Sequence, residues 1–180
     1  MKKNSWRSEV NRSLTQTVVT KSAVASLLFV DPGLGGTGWA AWRLVGPARP
    51  LPPPTGWGVA HGSLGKTWVG RVRDIVDRVR PYVLVATCVV VEFPGLWSSA
   101  VSAAAGAKGD LFKLAYLCGA IGAINNHVFL VLVSPQAWKG QLPKSVVGHR
   151  VQRYWPGLPK ISNHALDAVG MGLSWFQEWT

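Results

Sequence analysis

The chain has 180 residues, of which 48% are apolar and 15% charged, a balance that provides a hydrophobic core and excludes disorder over most of the sequence. Nineteen Lys and Arg against eight Asp and Glu give a net charge of +11, which favours a polyanionic partner such as nucleic acid. The apolar stretches are shorter than the roughly 20 residues of a membrane-spanning helix, so no membrane partner is expected.

The length predicts one domain with a tail. Residues 1–22 are polar and basic without periodicity, and we interpret them as a flexible arm before a single domain over residues 23–180. Polar residues follow the basic start, so no secretion signal is predicted. Cys88 and Cys118 lie in apolar runs without metal-ligand spacing, and we expect buried, reduced thiols in a cytoplasmic protein.

Three strands are predicted at the start of the domain. Leu27–Val30 has the composition of a short buried strand that ends at Asp31, and Thr37–Val45 returns beside it after a glycine-rich turn. A proline-rich loop occupies residues 46–58 and overlaps the start of a third strand, Trp57–Ser63. The first strand therefore delivers an acid to its carboxyl end.

Helices and strands alternate in the middle of the chain. Apolar residues at helical spacing predict a helix over Lys66–Arg80 that Pro81 ends. Tyr82–Val91 is a β-branched run, typical of a strand buried on both faces. A loop over residues 93–109 precedes a helix predicted over Asp110–Asn125.

The last third of the chain predicts another buried strand, Val128–Val133, and a final helix over Asn163–Trp179. A basic segment broken by prolines separates them. This order of elements predicts an α/β fold, a mixed five-stranded sheet with helices on both faces.

Three of the eight acids stand within or at the end of apolar segments: Asp31, Glu92 and Asp167. A lone buried carboxylate is costly or stays protonated, so three of them favour one shared site with a divalent cation. Parallel strands bring their carboxyl ends to one edge of a sheet, where ligands bind. His164 lies three residues before Asp167, on the same face of the predicted helix.

Carboxylates with one imidazole suit Mg²⁺ or Mn²⁺. Structural interpretations of the two strand-end acids remain open at this point. Asp31 before Pro-Gly would be a turn residue, and Glu92 would be a strand-end charge that reaches solvent.

The two helix residues also have structural interpretations. His164 would be a helix-start residue beside the capping side chain of Asn163, and Asp167 would pair with Lys160 or Arg153. Four separate coincidences would be required, so the shared metal site is the favoured interpretation.

Three motifs contain these four residues. Asp31–Gly38 reads D-P-G-x-x-x-T-G, Val89–Glu92 is an apolar strand that ends in glutamate, and His164–Ala168 reads His-x-x-Asp-Ala in the last helix. In this order and spacing, the motifs resemble those of the RuvC family of Holliday-junction resolvases, in the RNase H-like superfamily. The resemblance covers about residues 27–175.

The resemblance implies that residues 23–180 form an RNase H-like nuclease domain. In it, Asp31, Glu92, His164 and Asp167 would be the catalytic residues and would hold two Mg²⁺ ions, for which Mn²⁺ would substitute. The implied reaction is phosphodiester hydrolysis in four-way DNA junctions, giving paired nicks with 5′-phosphate and 3′-hydroxyl ends.

The resemblance also implies a homodimer, with two active sites on opposed strands of the junction. We expect the dimer contact on the predicted helix Asp110–Asn125, whose small residues allow close approach. Packing within one chain would use those small residues equally well.

Further candidate residues would contact DNA. The resemblance implies that an aromatic residue after the catalytic glutamate stacks at the opened centre of the junction. Phe93 and Trp97 are the two candidates for this role, and either could pack in the core instead. One basic residue in the middle helix resembles a basic residue of the corresponding family helix. Those before the last helix are interpreted as phosphate contacts rather than as a solvated face. These basic residues are Lys113, in the middle helix, and Lys139, Lys144, Arg150 and Arg153, before the last helix.

Three other functions share parts of this pattern. An actin-like or sugar-kinase fold also begins with an aspartate and a glycine-rich turn, but it requires a second nucleotide-binding half. An RNase H-like nuclease acting on flaps, branched DNA or RNA–DNA hybrids shares all four site residues. A non-catalytic DNA-binding module explains the charge and leaves the buried acids unexplained.

Overall fold

The computed structural model describes residues 24–45, 50–95, 109–125, 128–140 and 142–176. The arm predicted over residues 1–22 lies outside these ranges, as does Trp97. The strands are β1 (Val24–Asp31), β2 (Thr37–Val45), β3 (Gly56–Ala60), β4 (Cys88–Glu92) and β5 (Phe129–Val133). The helices are α1 (Trp68–Val85), α2 (Asp110–Gly122), α3 (Pro135–Trp138), α4 (Lys144–Tyr154) and α5 (Asn163–Trp175).

The strands form one mixed sheet in the order β3-β2-β1-β4-β5. β1 pairs antiparallel with β2 and parallel with β4, and β4 pairs parallel with β5. Val30 is in register with Val91, so the next residues, Asp31 and Glu92, end two neighbouring parallel strands. This confirms the predicted five-stranded mixed sheet.

Alternate residues of the central strands face two separate cores, which places helices on both faces as predicted. Phe29 and Val90 belong to the core beneath α3, α4 and α5. Val30 and Val91 belong to the core beneath α1 and α2. Each of these four side chains is fully buried, and burial of this kind stabilises the fold by about 1.5–3 kcal/mol per large apolar side chain.

Helix α1 continues through Pro81 to Val85, so the predicted helix end at Pro81 and the strand start at Tyr82 are wrong. Pro81 cannot donate the helical hydrogen bond at its position. Val79 and Val83, one turn apart on either side of it, are fully buried. Their packing offsets the missing bond and keeps the helix continuous.

The strand β5 lies at an edge of the sheet, and its predicted burial is wrong. Its residues Phe129, Leu130 and Leu132 are exposed.

The basic segment after β5 contains α3 and α4, which were not predicted because prolines interrupt this part of the sequence. Pro135 is the first residue of α3 and Pro143 precedes the first residue of α4, positions where proline is tolerated.

Side-chain hydrogen bonds hold the described part of the proline-rich loop against the core. The Trp155 indole N–H donates to the carbonyl of Leu51 at 3.2 Å, and the Trp42 indole N–H donates to the carbonyl of Pro52 at 3.0 Å. The Tyr154 hydroxyl accepts from the Leu51 N–H. In the ranges described, no helix is long and apolar enough to cross a bilayer.

Candidate active site

Strand alternation brings Asp31 and Glu92 to the same face of the sheet. Each lies two residues beyond a side chain of the core beneath α5, namely Phe29 in β1 and Val90 in β4. Asp31 is buried and Glu92 is partly buried. The sheet therefore presents two carboxylates side by side to the last helix.

The loop between β1 and β2 is closed by hydrogen bonds of Thr37, the first residue of β2. The buried Thr37 hydroxyl accepts from the Gly33 N–H at 3.2 Å and donates to the Gly33 carbonyl at 3.1 Å. A Cβ atom at Gly38 would overlap the backbone carbonyl of His164, so only glycine lets the start of α5 approach so closely. The threonine and glycine of the first motif thus fix the distance between Asp31 and α5.

His164 is the second residue of α5, and its Nδ1 atom lies 3.0 Å from Oδ2 of Asp31. This hydrogen bond is the main cause that raises the pKa of His164, while partial burial acts against it. Ser162, not Asn163, occupies the N-cap position, so the interpretation of Asn163 as the capping residue is wrong.

Asp167 is buried in α5 and pairs with two lysines. Its Oδ2 atom lies 2.9 Å from Nζ of Lys144 and 3.8 Å from Nζ of Lys139. The structure thus pairs Asp167 with these two lysines and not with Lys160 or Arg153, the partners that the structural interpretation of the sequence gave. Its other oxygen, Oδ1, is buried and has no hydrogen-bond partner among the described residues.

Glu92 has two partners from the end of α3. Its Oε2 atom accepts a 2.6 Å hydrogen bond from the Trp138 indole N–H and lies 3.6 Å from Nζ of Lys139. Burial raises the pKa of Glu92, followed by the negative charge of Asp31. Lys139 and the indole bond act in the opposite direction, and the charge of Asp167 raises the pKa further.

The four predicted site residues thus lie in one region, linked through Lys139, which is within 4 Å of both Glu92 and Asp167. In this arrangement, no three His, Cys, Asp or Glu side chains of the described ranges converge closely enough to hold one ion. The predicted ligand set is therefore present but not assembled. Ammonium groups lie beside Glu92 and Asp167 instead, and the imidazole of His164 lies beside Asp31.

The residues nevertheless fit a divalent metal. Oxygen ligands with one imidazole are the donor set that Mg²⁺ and Mn²⁺ accept. The buried Oδ1 of Asp167 has no hydrogen-bond partner in the part of the chain that the structure describes, which is costly for a carboxylate and would be relieved by a bound cation. Three carboxylates whose charges act on one another also favour a multivalent cation.

The predicted DNA contacts fall into two groups. Lys139 and Lys144 lie at the acids themselves. Arg150 and Arg153 lie six and nine residues further along α4, roughly 9 and 14 Å from Lys144 along the helix axis. These four residues are on the α5 face of the sheet.

The remaining candidates are more dispersed. Phe93 directly follows Glu92, is exposed, and donates its backbone N–H to Val133 at 2.8 Å. Lys113 lies in α2, on the opposite face, and pairs with Asp110 at 2.9 Å. Their roles, and that of Trp97, stay predictions.

Sequence reasoning missed Trp138, which lies 46 residues beyond its partner Glu92. Its position beside Lys139 in the basic segment is the one signal available in the sequence. Ten tryptophans in the chain give no reason to select this one.

Comparison with protein-family models and with curated proteins gives no match. Solved structures do match. RuvC from Thermus thermophilus superposes with a TM-score of 0.64 at 19% identity over 85% of this chain and 95% of that chain. T. thermophilus RuvC in complex with a Holliday junction substrate gives 0.64 at 20% identity, over 83% of this chain and 92% of that one.

A third match is the crystal structure of the yeast mitochondrial Holliday junction resolvase, with a TM-score of 0.51 and 11% identity over 96% of this chain and 92% of that chain. At these identities, the likeness establishes the fold. The chain has the α/β fold of RuvC, which confirms the fold that the resemblance implied.

Proposed function

We propose that this protein is a structure-selective endodeoxyribonuclease that resolves four-way DNA junctions by phosphodiester hydrolysis. The observation that carries the proposal is the grouping of Asp31, Glu92 and Asp167 with His164 at the carboxyl ends of β1 and β4. The fold shared with RuvC and the net charge of +11 support it. The products would be paired nicks with 5′-phosphate and 3′-hydroxyl ends.

Asp31, Glu92, His164 and Asp167 would hold two Mg²⁺ ions per site, with Mn²⁺ as a substitute. When bound, the ions would supply an activated water and Lewis-acid stabilisation of the leaving oxygen. Asp31 would orient the imidazole of His164 through its contact with Nδ1, so that Nε2 would be available to a metal ion.

Lys139 and Lys144 would serve the substrate in this reaction. Both ammonium groups are within 4 Å of site carboxylates, so each also lies close to where a scissile phosphate would bind. Each lysine would contact phosphates of the junction and compensate the negative charge that the acids present to DNA.

The experiment is Mg²⁺-dependent cleavage of a labelled four-way junction, beside a linear duplex, a flap and an RNA–DNA hybrid of matched sequence. Symmetric nicks that a ligase reseals, on the junction alone, are the expected result. Cleavage confined to flaps or hybrids would support the broader RNase H-like nuclease instead. Junction binding without cleavage under all metal conditions would support the non-catalytic module.

We further propose that the protein acts as a homodimer, as the family resemblance implies, and that the contact lies on α2. Phe112 is 78% exposed, and Tyr116 one turn later is also exposed and packs edge-on against Trp68 at 5.5 Å. Burial of these aromatic rings by a second copy would remove a large apolar patch from water.

The dimer proposal is tested by sedimentation of Phe112→Glu against Val45→Glu. Val45 has a comparable exposure of 74% and lies at the end of β2. We expect wild type and Val45→Glu to sediment as dimers and Phe112→Glu as a monomer. Equal behaviour of all three proteins would reject α2 as the contact.

A further inference from the structure

We propose that Trp138 is a positioning residue for Glu92: its indole N–H holds one carboxylate oxygen, so that the other is presented to the metal ion. The inference rests on the proposed function, because it concerns the same site. It adds a residue that none of the three motifs contains.

The contact between the two residues is short and shielded. The Trp138 Nε1 atom lies 2.6 Å from Oε2 of Glu92, and Trp138 is 8% exposed. A hydrogen bond to an ionised carboxylate is stronger than a neutral one, and low exposure strengthens it further. Lys139 approaches the same oxygen, at 3.6 Å, so both of these partners lie at Oε2.

Trp138 itself packs against α5, the helix that carries His164 and Asp167. The Ser174 hydroxyl donates to the carbonyl of Trp138 at 2.9 Å. The ring lies against Gly170, where a Cβ atom would come within 3.3 Å of it. Trp138 therefore connects the strand-end acid of β4 to the helix that supplies the other ligands.

Without this bond, Glu92 would be free to move away from the site. It stands at a strand end beside Asp31, and the charges of Asp31 and Asp167 both act on it. The repulsion between like charges favours rotamers that separate the carboxylates. The indole N–H opposes that separation before a metal ion binds, which is the role of a hydrogen bond that orients a ligand.

The experiment measures Mn²⁺ affinity by calorimetry on the full chain without DNA, for wild type, Trp138→Phe and Trp155→Phe. Trp155 is a matched control, since it is also 8% exposed and its indole donates to a carbonyl oxygen outside the site. We expect Trp138→Phe to weaken Mn²⁺ binding about tenfold and Trp155→Phe to leave it unchanged. In a Glu92→Gln background, Trp138→Phe should have no further effect.

Unchanged Mn²⁺ affinity in Trp138→Phe would overturn the inference, while loss of binding in Asp167→Asn would still support the proposed function. Absence of Mn²⁺ binding to wild type would contradict both. If Trp138→Phe does not fold, the indole N–H resonances of the wild-type protein give a second test. Mg²⁺ should shift the Trp138 signal and spare that of Trp155, and an unmoved Trp138 signal would reject the role.

Discussion

The Nζ atom of Lys144 lies 2.9 Å from Oδ2 of Asp167, so an ammonium group forms a close ion pair with a carboxylate that is proposed to bind metal. Lys139 stands 3.8 Å from the same oxygen. In the metal-free protein, these lysines compensate the buried charge of Asp167. A cation bound to this acid would compete with both ammonium groups for its negative charge, and their release would free both side chains for phosphate groups of DNA.

Lys144→Ala should therefore tighten Mn²⁺ binding in the absence of DNA, because the ion no longer competes with the ammonium group for Asp167. Calorimetry on the variant and on wild type measures this. Lys66→Ala is the control, since Lys66 also forms a close ion pair, with Asp74, outside the site. Weaker binding in Lys144→Ala, or an equal gain in Lys66→Ala, would contradict the competition.

The same Lys144→Ala variant should bind a four-way junction more weakly and with a smaller salt dependence. Loss of one phosphate contact lowers the slope of log affinity against log salt by about 0.9. Filter binding or fluorescence anisotropy over a salt series measures the slope. A slope equal to that of wild type would remove Lys144 from the phosphate contacts.

Gly38→Ala should destabilise the protein by at least about 1–3 kcal/mol, because the added methyl group overlaps the backbone of His164. Gly35→Ala, in the loop just before β2, is the matched control, since no atom of the described residues beyond its chain neighbours lies within 4 Å of its added Cβ. Urea unfolding followed by circular dichroism compares the two. Equal midpoints would show that α5 does not approach β2 as closely as described.

The acid stability of α1 should depend on Asp74. The Lys66 ammonium and the backbone N–H of Ser63 hold the pKa of Asp74 well below its ordinary value of 3.8. A pKa lowered by folding stabilises the protein above the unfolded value, and this contribution is lost as the pH falls through the folded value.

Asp74→Asn should therefore lower the melting temperature at neutral pH. The difference in melting temperature between this variant and wild type should narrow as the pH falls below 3.8. Asp77→Asn, which removes only a 3.8 Å exposed pair with Arg80, should show little of this pH dependence. If the melting temperature of wild type instead exceeded that of Asp74→Asn by more in acid than at neutral pH, the predicted direction of the pH dependence would be wrong.

The two cysteines should be unreactive in the folded protein. Burial raises the pKa of Cys88 to about 11 and that of Cys118 to about 12, so neither forms much thiolate at mildly alkaline pH. A thiol reagent such as dithionitrobenzoate should react fully after denaturation and only slowly before it. Rapid labelling of the native chain would contradict the described burial.

Local patterns predicted the acids of the site, because each position follows from the residue and its immediate neighbours. Asp31 and Glu92 end apolar strands, and a parallel register then brings them together. The interaction of Trp138 with Glu92 spans 46 residues and depends on how α3 packs beneath α5. No short-range pattern contains that information.

In the fold, too, local sequence patterns predicted some features, and long-range packing determined the others. The glycine-rich turn after Asp31 located the start of β2, whose observed bounds are the predicted ones. Pro81 gave the wrong helix end, because tertiary packing of Val83 outweighs the local preference. The composition of β5 matches that of a buried strand, but its edge position follows from the sheet order alone.

The most direct test of the central claim is cleavage of a labelled four-way junction by Asp167→Asn in Mg²⁺, with junction binding measured in parallel. Asparagine keeps the shape of the side chain and removes the charge that pairs with Lys144 and Lys139. The account predicts loss of cleavage by a folded variant that binds the junction as tightly as wild type or more tightly. Cleavage at the wild-type rate would contradict it.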